Sequence, residues 1–492
     1  MRAMLAYRAL APGDVHDLGL PLAAVLATAA SLALGWVLAQ GVEPRYLVLV
    51  ALGLLIVGVG FVVPRTLLYG LAVWLVALGL LRRLASESLG ETSTDPLLLV
   101  APFAFGVLAL VAAYQGVFQR LTSLSKAVIV LSGLVLLSAL NPGQDSVVAG
   151  IASLLFAFIP LLGFWIGRAF GDAQLVTRVL QLVAGLAIVA AVYGLAQTRY
   201  GFLPWDEEWV RQQRDYSALS VFTAAGGQLV TRPFGTFSSA SEYAYFLGIA
   251  FVVLAVYLLR RRFIVAMCAG LALLGVGLLL ASSRSVLVAA LIALTLILGA
   301  TRRIPMTFAL VLAAGAVLLL PFILQRWPVG YGGAGTASTL IGHQVEGLRD
   351  PLNPATSTLG IHAELVGDGI RSAVANPLGT GLSSITIAGA KFGSKQARGT
   401  EADPSNMAVA AGLPGLLAYL VVLVLAFQRV FRMAVRTRSV AALLAVGVVT
   451  LVVLHWLDGG QYAVAWLPWF IIGWADREEL STTTDSPRQA PA

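Results

Sequence analysis

The sequence predicts an all-α, polytopic integral membrane protein of about fourteen transmembrane helices, with two long loops on its outer side. Three observations predict it. Hydrophobic residues fill 59% of the 492 positions and charged residues only 11%, against roughly 25% charged in soluble domains, and the mean hydropathy is +0.87. The apolar residues gather in runs long enough to cross a bilayer, which takes about 20 mostly apolar residues. The charged residues sit between these runs, and the cations favour alternate connections.

Taken in order, the spans fall at 20–42, 46–63, 66–81, 96–118, 127–140, 148–167 and 177–197, then at 243–259, 263–281, 285–301, 304–324, 407–428, 439–457 and 461–475. The segment 66–81 is short and ends in Arg82-Arg83, so a half-helix or interfacial piece competes there with a full span. No short apolar core with a small-residue cleavage site opens the chain, and the first apolar segment is expected to stay as an anchor. Lys and Arg concentrate in cytoplasmic turns. With the N-terminus inside, those turns and the N-terminal residues hold sixteen, while the opposite short turns hold four, Arg45, Arg82, Arg83 and Arg284. Both termini are therefore expected in the cytoplasm.

The chain divides into N-terminal transmembrane helices (1–197), a first outer loop (198–242), core transmembrane helices (243–324), a large outer loop (325–405), C-terminal transmembrane helices (406–476) and a polar tail (477–492) expected to be disordered. The two periplasmic or extracellular loops hold eleven of the twenty-four carboxylates. No carboxylate falls in the middle of a span. Ion-coupled carriers place such residues along their path, so the pattern argues against one.

Composition removes other classes. The one cysteine, Cys268, lies in an apolar stretch, so no disulfide framework or thiolate cluster can form. The four histidines are scattered, and no phosphate-binding loop, dinucleotide fingerprint or zinc helix occurs. Neither metal nor cofactor is expected. The net charge of +8 follows the membrane rather than a soluble basic face, which excludes a nucleic-acid partner and leaves membrane lipid as the surrounding one.

Candidate chemistry lies on the outer loops. Trp205 and Trp209 flank Asp206-Glu207-Glu208, a pattern that suits an interfacial aromatic anchor. Arg232 opens Arg232-Pro-Phe-Gly-Thr-Phe just before a helix, where free backbone N–H groups and a positive dipole end favour an anion. Its planar fork suits phosphate, and pairing with Asp215 or Glu242 is the alternative. Arg284, in Ser-Ser-Arg284-Ser, is the one cation of a tight outer turn, and snorkelling to headgroups is its alternative reading. The second loop begins with Gly342-His343 and supplies His362, Glu364, Asp368 and Arg371, then Glu401 and Asp403. In a helix Glu364 and Asp368 share a face, which suits orienting a sugar hydroxyl or acting as general base. The same face suits a solvated amphipathic helix. Glu242, His362, Glu364, Asp368 and Asp403 are the candidate catalytic groups, and Arg232, Arg284 and Arg371 the candidate anion ligands.

The ordered set of many spans, Arg232-Pro-Phe-Gly-Thr-Phe before a helix, Ser-Arg284-Ser after two more, a large outer loop with Asn376-Pro-Leu-Gly-Thr-Gly381 and then Gly412-Leu-Pro-Gly415 resembles the O-antigen ligase and O-antigen polymerase superfamily. The likeness covers about 232–420. It implies a GT-C-like architecture in the bacterial inner membrane, with Arg232 and Arg284 on the pyrophosphate of an undecaprenyl-linked oligosaccharide donor. It further implies metal-independent, inverting transfer to a glycan acceptor. Ligases of the family carry a His-Asn or similar pair about eleven residues before the Gly-x-x-Gly that opens the next helix. Glu401 stands here instead. That departure favours a polymerase of O-antigen or exopolysaccharide repeat units over a ligase to lipid A core. A lipid-linked oligosaccharide flippase is the alternative from another class, and a receptor or scaffold the third.

Overall fold

The computed structural model describes residues 44–89, 95–144, 146–216, 222–225, 228–261, 263–326, 335–392, 399–400, 402–457 and 462–484. The first expected span, 20–42, and Glu401 lie outside them. In chain order the helices are α1 (Pro44–Val62), α2 (Pro64–Leu89), α3 (Val100–Tyr114), α4 (Ser123–Ser138), α5 (Val147–Ala157), α6 (Ile159–Phe170), α7 (Ala173–Tyr200) and α8 (Pro204–Tyr216). A two-stranded antiparallel ribbon follows, β1 (Phe222–Ala225) with β2 (Gln228–Thr231). Then come α9 (Ala240–Leu259), α10 (Ile264–Leu280), α11 (Arg284–Thr301), α12 (Met306–Gln325), α13 (Thr336–Arg349), α14 (Leu359–Ala375), α15 (Ile387–Phe392), α16 (Asp403–Thr437), α17 (Val440–Leu451) and α18 (Tyr462–Thr484).

Among the described residues nine helical segments are long and apolar enough to cross a membrane, which fits a multi-pass membrane protein. They are α1, α2, α3 with the 3-10 turn before it, α5 and α6 taken together, α7, α9, α11, α12 and α16. The segment at 66–81 is not a half-helix, for α2 runs 26 residues. The helices α4, α10 and α17 are apolar but shorter. The helix α18 starts apolar, turns polar at Asp476-Arg477-Glu478-Glu479 and runs on to Thr484, so 477–484 of the expected disordered tail are helical.

Polar caps start the spans where the sequence turns apolar. Asp172 accepts from Leu175 N–H at 2.7 Å at the head of α7, and Ser239 accepts from Glu242 N–H at 3.2 Å at the head of α9. Each satisfies one of the N–H groups that a helix start leaves without an internal partner. Of the spans, α9 is the most enclosed, packing against α7, α10, α11 and α17. Glycines bring α6 and α18 into backbone contact, and Trp456, Trp466 and Trp469 fill the core beside them. Away from the long connections, the buried Asp476 carboxylate collects Thr122 and Ser125 hydroxyls at 2.6 Å, Arg429 at 3.0 Å, and Arg168. That knot ties α4, α6, α16 and α18 together.

The described parts of the two long connections carry regular structure. The first holds α8 and the ribbon, the second α13, α14 and α15, and α13 packs against β1. They therefore meet over one end of the bundle.

Candidate functional site

The ribbon sets the position of Arg232. Its register pairs Phe222 with Thr231, so Arg232 is the first residue beyond the ladder, and the chain then turns through Pro233–Ser238 into α9. Gly235 has φ +53°, a left-handed conformation that costs other residues roughly 1–2 kcal/mol. A methyl carbon there would also come within 2.8 Å of Ala190 O.

Neighbouring elements take up the backbone groups of this turn. Gln197 Oε1 accepts from Phe234 N–H at 3.1 Å and Gly235 N–H at 2.9 Å. Leu80 N–H donates to Thr236 O at 2.8 Å, and Trp209 Nε1–H donates to Ser238 O at 3.0 Å. Arg83 donates to Gly235 O at 2.6 Å and to Phe237 O. Its guanidinium lies over the Phe234 ring at 4.8 Å and pairs with Asp206 at 2.9 Å, both side chains being fully enclosed. Asp206 in turn accepts from Tyr193 at 2.7 Å and Gln197 at 2.9 Å. A buried ion pair loses solvation that its Coulomb attraction alone does not restore, so such pairs persist where further hydrogen bonds complete them. Here those bonds hold the turn that carries Arg232 against α2, α7 and α8. Trp205 donates to Tyr193 Oη at 3.0 Å, so both indole N–H groups of α8 point into this network.

Arg284 lies in the first turn of α11, whose head has no side-chain cap. Its Nη2 donates to His343 O at 2.7 Å and contacts His343 Nε2 at 3.0 Å. Guanidinium only donates, so Nε2 accepts and the imidazole proton resides on Nδ1. The Thr223 hydroxyl of β1 lies 3.3 Å from the same ring nitrogen. Gly347, one turn along α13, leaves the space that the guanidinium occupies, since a methyl carbon built there would overlap Arg284 Cζ and Nη1. Burial and the charges of Arg284 and Arg232 push the His343 pKa down to about 4. Burial draws Arg232 down to about 10, which leaves it cationic at neutral pH. The site is thus two arginines from separate elements around a neutral histidine, at the junction of both long connections.

The other sequence candidates lie elsewhere. Glu242 is buried in the first turn of α9 and accepts from Ala463 N–H of α18 at 3.0 Å. Asp403 is buried at the head of α16 and accepts from Tyr419 at 2.9 Å and Leu457 N–H at 2.8 Å. Glu242 thus holds the head of α18, and Asp403 ties α16 to the segment after α17. His362 Nε2 lies 3.1 Å from Thr358 Oγ1 within α14. Glu364 is exposed, and Asp368 and Arg371 form an exposed ion pair one turn apart on the same helix. The main packing partner of α14 is α16, whereas Arg284 is held by α13. The charges of Arg232 and Arg284 thus both reach His343, whereas α14 packs chiefly on α16.

Sequence reasoning missed His343, Arg83 and Gly347. The Arg82-Arg83 pair did signal itself by breaking the charge bias. No cluster of three His, Cys, Asp or Glu suited to a metal occurs among the described residues. Compared with known proteins, the chain matches no protein-family model and no curated protein.

Proposed function

We propose that this chain is a membrane glycosyltransferase that takes an undecaprenyl-pyrophosphate-linked oligosaccharide as donor and polymerises repeat units of O-antigen or exopolysaccharide on the outer face of a bacterial inner membrane. One observation carries the reading: Arg232 and Arg284, far apart in sequence, both act on His343. Two cations beside an uncapped helix start make a place for a diphosphate. Bound there, the pyrophosphate is stabilised as its negative charge grows on leaving, which accelerates attack at the anomeric carbon. The neutral His343 adds no charge to the pocket, and its ring holds Arg284 in a fixed pose. Transfer to lipid A core uses the same donor chemistry, and the product separates the two readings.

A flippase would draw support from the break in α16, where Gly412 has φ +66° and ψ −155°, because discontinuous helices mark carrier sites. That break is occupied by the chain itself. Thr380 N–H donates to Val409 O at 2.8 Å, Gly381 N–H to Ala410 O at 3.1 Å, and Leu413 N–H to Pro377 O at 3.1 Å.

The test uses purified lipid-linked repeat units in proteoliposomes without added metal. Each charged hydrogen bond of this kind is worth roughly 1.5–3 kcal/mol, so Arg232→Ala and Arg284→Ala are each expected to slow polymer formation by about ten- to a hundredfold. Lys restores part of it, since it keeps the charge and loses the fork. Full activity in both Ala variants refutes the clamp. Transfer of finished chains without extension reassigns the protein as a ligase.

A further inference from the structure

The helix α14 has three distinct faces. Gly369 and Ala373 are buried, and Gly369 sits where a methyl carbon would come within 2.9 Å of Ser405 Cβ, so this face lies on the head of α16. Glu364, Asp368 and Arg371 form the opposite, exposed face. Between the two runs an exposed apolar flank of Leu359, Ala363, Ile370 and Val374, and Val374 is 69% exposed. Soluble surfaces do not usually gather such a stripe beside a charged one without a partner.

The surroundings identify that partner. Just past the helix, Leu378 is 78% exposed. The bond from Leu413 N–H to Pro377 O fastens this end of α14 to the break in α16. From there Leu413, Leu417, Leu420, Val421 and Val424 are all exposed and fall on one side of α16, a helix long and apolar enough to span. In a bilayer that side faces lipid chains. The apolar flank of α14 is therefore the upper end of a lipid-facing strip, with its charged face turned about a third of a turn away around the helix.

We infer that α14 is an interfacial membrane helix, with Ile370, Val374 and Leu378 inserted among the lipid chains and Glu364, Asp368 and Arg371 facing water. This is how amphipathic helices lie in the interface plane. The bilayer is favoured over a second copy or a soluble partner because the strip is continuous with a surface that lipid already covers. The placement holds whether or not the chain transfers sugar.

The test is site-directed quenching of the full-length chain in phosphatidylcholine and phosphatidylglycerol vesicles, with the exposed Cys268 replaced by Ala. A fluorophore is placed in turn on Val374→Cys, Ile370→Cys, Glu364→Cys and, as the lipid-facing reference, Leu417→Cys. The labels at 370 and 374 are expected to be quenched severalfold more by brominated lipid than the label at 364, and to be shielded from aqueous iodide as at 417. The label at 364 gives the reverse. Iodide quenching at 370 and 374 equal to that at 364 overturns the inference, because the flank then faces water. Protection from both quenchers also overturns it, because a protein then covers the flank. Either apolar position suffices should the other variant fold poorly.

Discussion

Replacing Gly347 by Ala isolates the geometry of the cation pair without touching a charge. The added methyl group falls on the Arg284 guanidinium, and α13 cannot yield easily because Leu340 and Gln344 of the same helix are buried against the bundle. The guanidinium must therefore swing away from His343 and lose its contacts at 2.7 and 3.0 Å. Charged hydrogen bonds are worth roughly 1.5–3 kcal/mol each, but Arg284 is only partly buried and water replaces part of what is lost. A net loss of about 1.5–3 kcal/mol for the two together follows. Expressed in donor binding, that is roughly ten- to a hundredfold. Folding stability moves less, because Ala in a helix interior gains about 0.5–1 kcal/mol over Gly and offsets about a third of the lost contact. Gly347→Ala is thus expected to raise the donor KM by about ten- to a hundredfold and to leave the unfolding midpoint in detergent within a few degrees of the parent, while expression stays normal. The double variant supplies the control, since in an Arg284→Ala background the methyl group has room and should change activity no further. Unchanged KM in the single variant, or an equal loss in both backgrounds, refutes the reasoning.

Two other perturbations test the supports of the site. Arg83→Met leaves Asp206 charged and enclosed and strips Gly235 O and Phe237 O of their donor, so it should cost about 3–5 kcal/mol; adding Asp206→Asn should recover part of that in thermal unfolding, and strictly additive losses would contradict the coupling. His343 binds its proton less tightly folded, at about 4, than at the ordinary 6.5, so between those values the unfolded chain holds more protons and stability falls as pH falls. Its contribution is fully present above about pH 6.5 and lost toward pH 4; His343→Gln should flatten the unfolding midpoint over that window, and an identical slope in the variant would show that His343 is not the titrating group.

The nine long apolar helices among the described residues were legible in the sequence because each is a local property of one apolar run. Apart from the helical pairing of Glu364 and Asp368, the elements of the two loops were not. The runs around Gly226-Gly227 carry a hairpin signal, but they are short, at four residues each, and lie in a polar stretch. The helix α13 is only weakly patterned and reads as loop without β1 and α11 to pack on. The site divides the same way. Arg232 and Arg284 announce themselves through turn chemistry and charge bias. His343 acquires its role from Arg284, 59 positions away. Arg83 gains its role from Asp206 and from carbonyls more than 150 positions distant. No window along the chain contains such pairs. Asp403 and Glu242 show the same limit from the other side. Carboxylates at helix heads look like free acids in sequence, and in the fold they accept backbone N–H groups.

The four arginines that break the charge bias have one feature in common. Arg45 donates to Ala85 O at 2.8 Å, Arg82 pairs with Asp95 at 2.7 Å and lies over Trp209, Arg83 pairs with Asp206, and Arg284 is held by His343. Each of these has an acceptor fixed by the fold, as Arg168 and Arg429 have in Asp476. Arg82 and Arg83 link α2 to the elements around the turn carrying Arg232, and Arg45 ties α1 to α2. The fourth links α11 to α13. A diphosphate needs cations already in place when its charge develops, because moving them at that moment would consume the stabilisation they provide. A turn whose backbone groups are gripped on three sides, and a guanidinium seated against a missing side chain, meet that requirement. Arg82, Arg83 and Arg284 are thus the arginines that hold the site still.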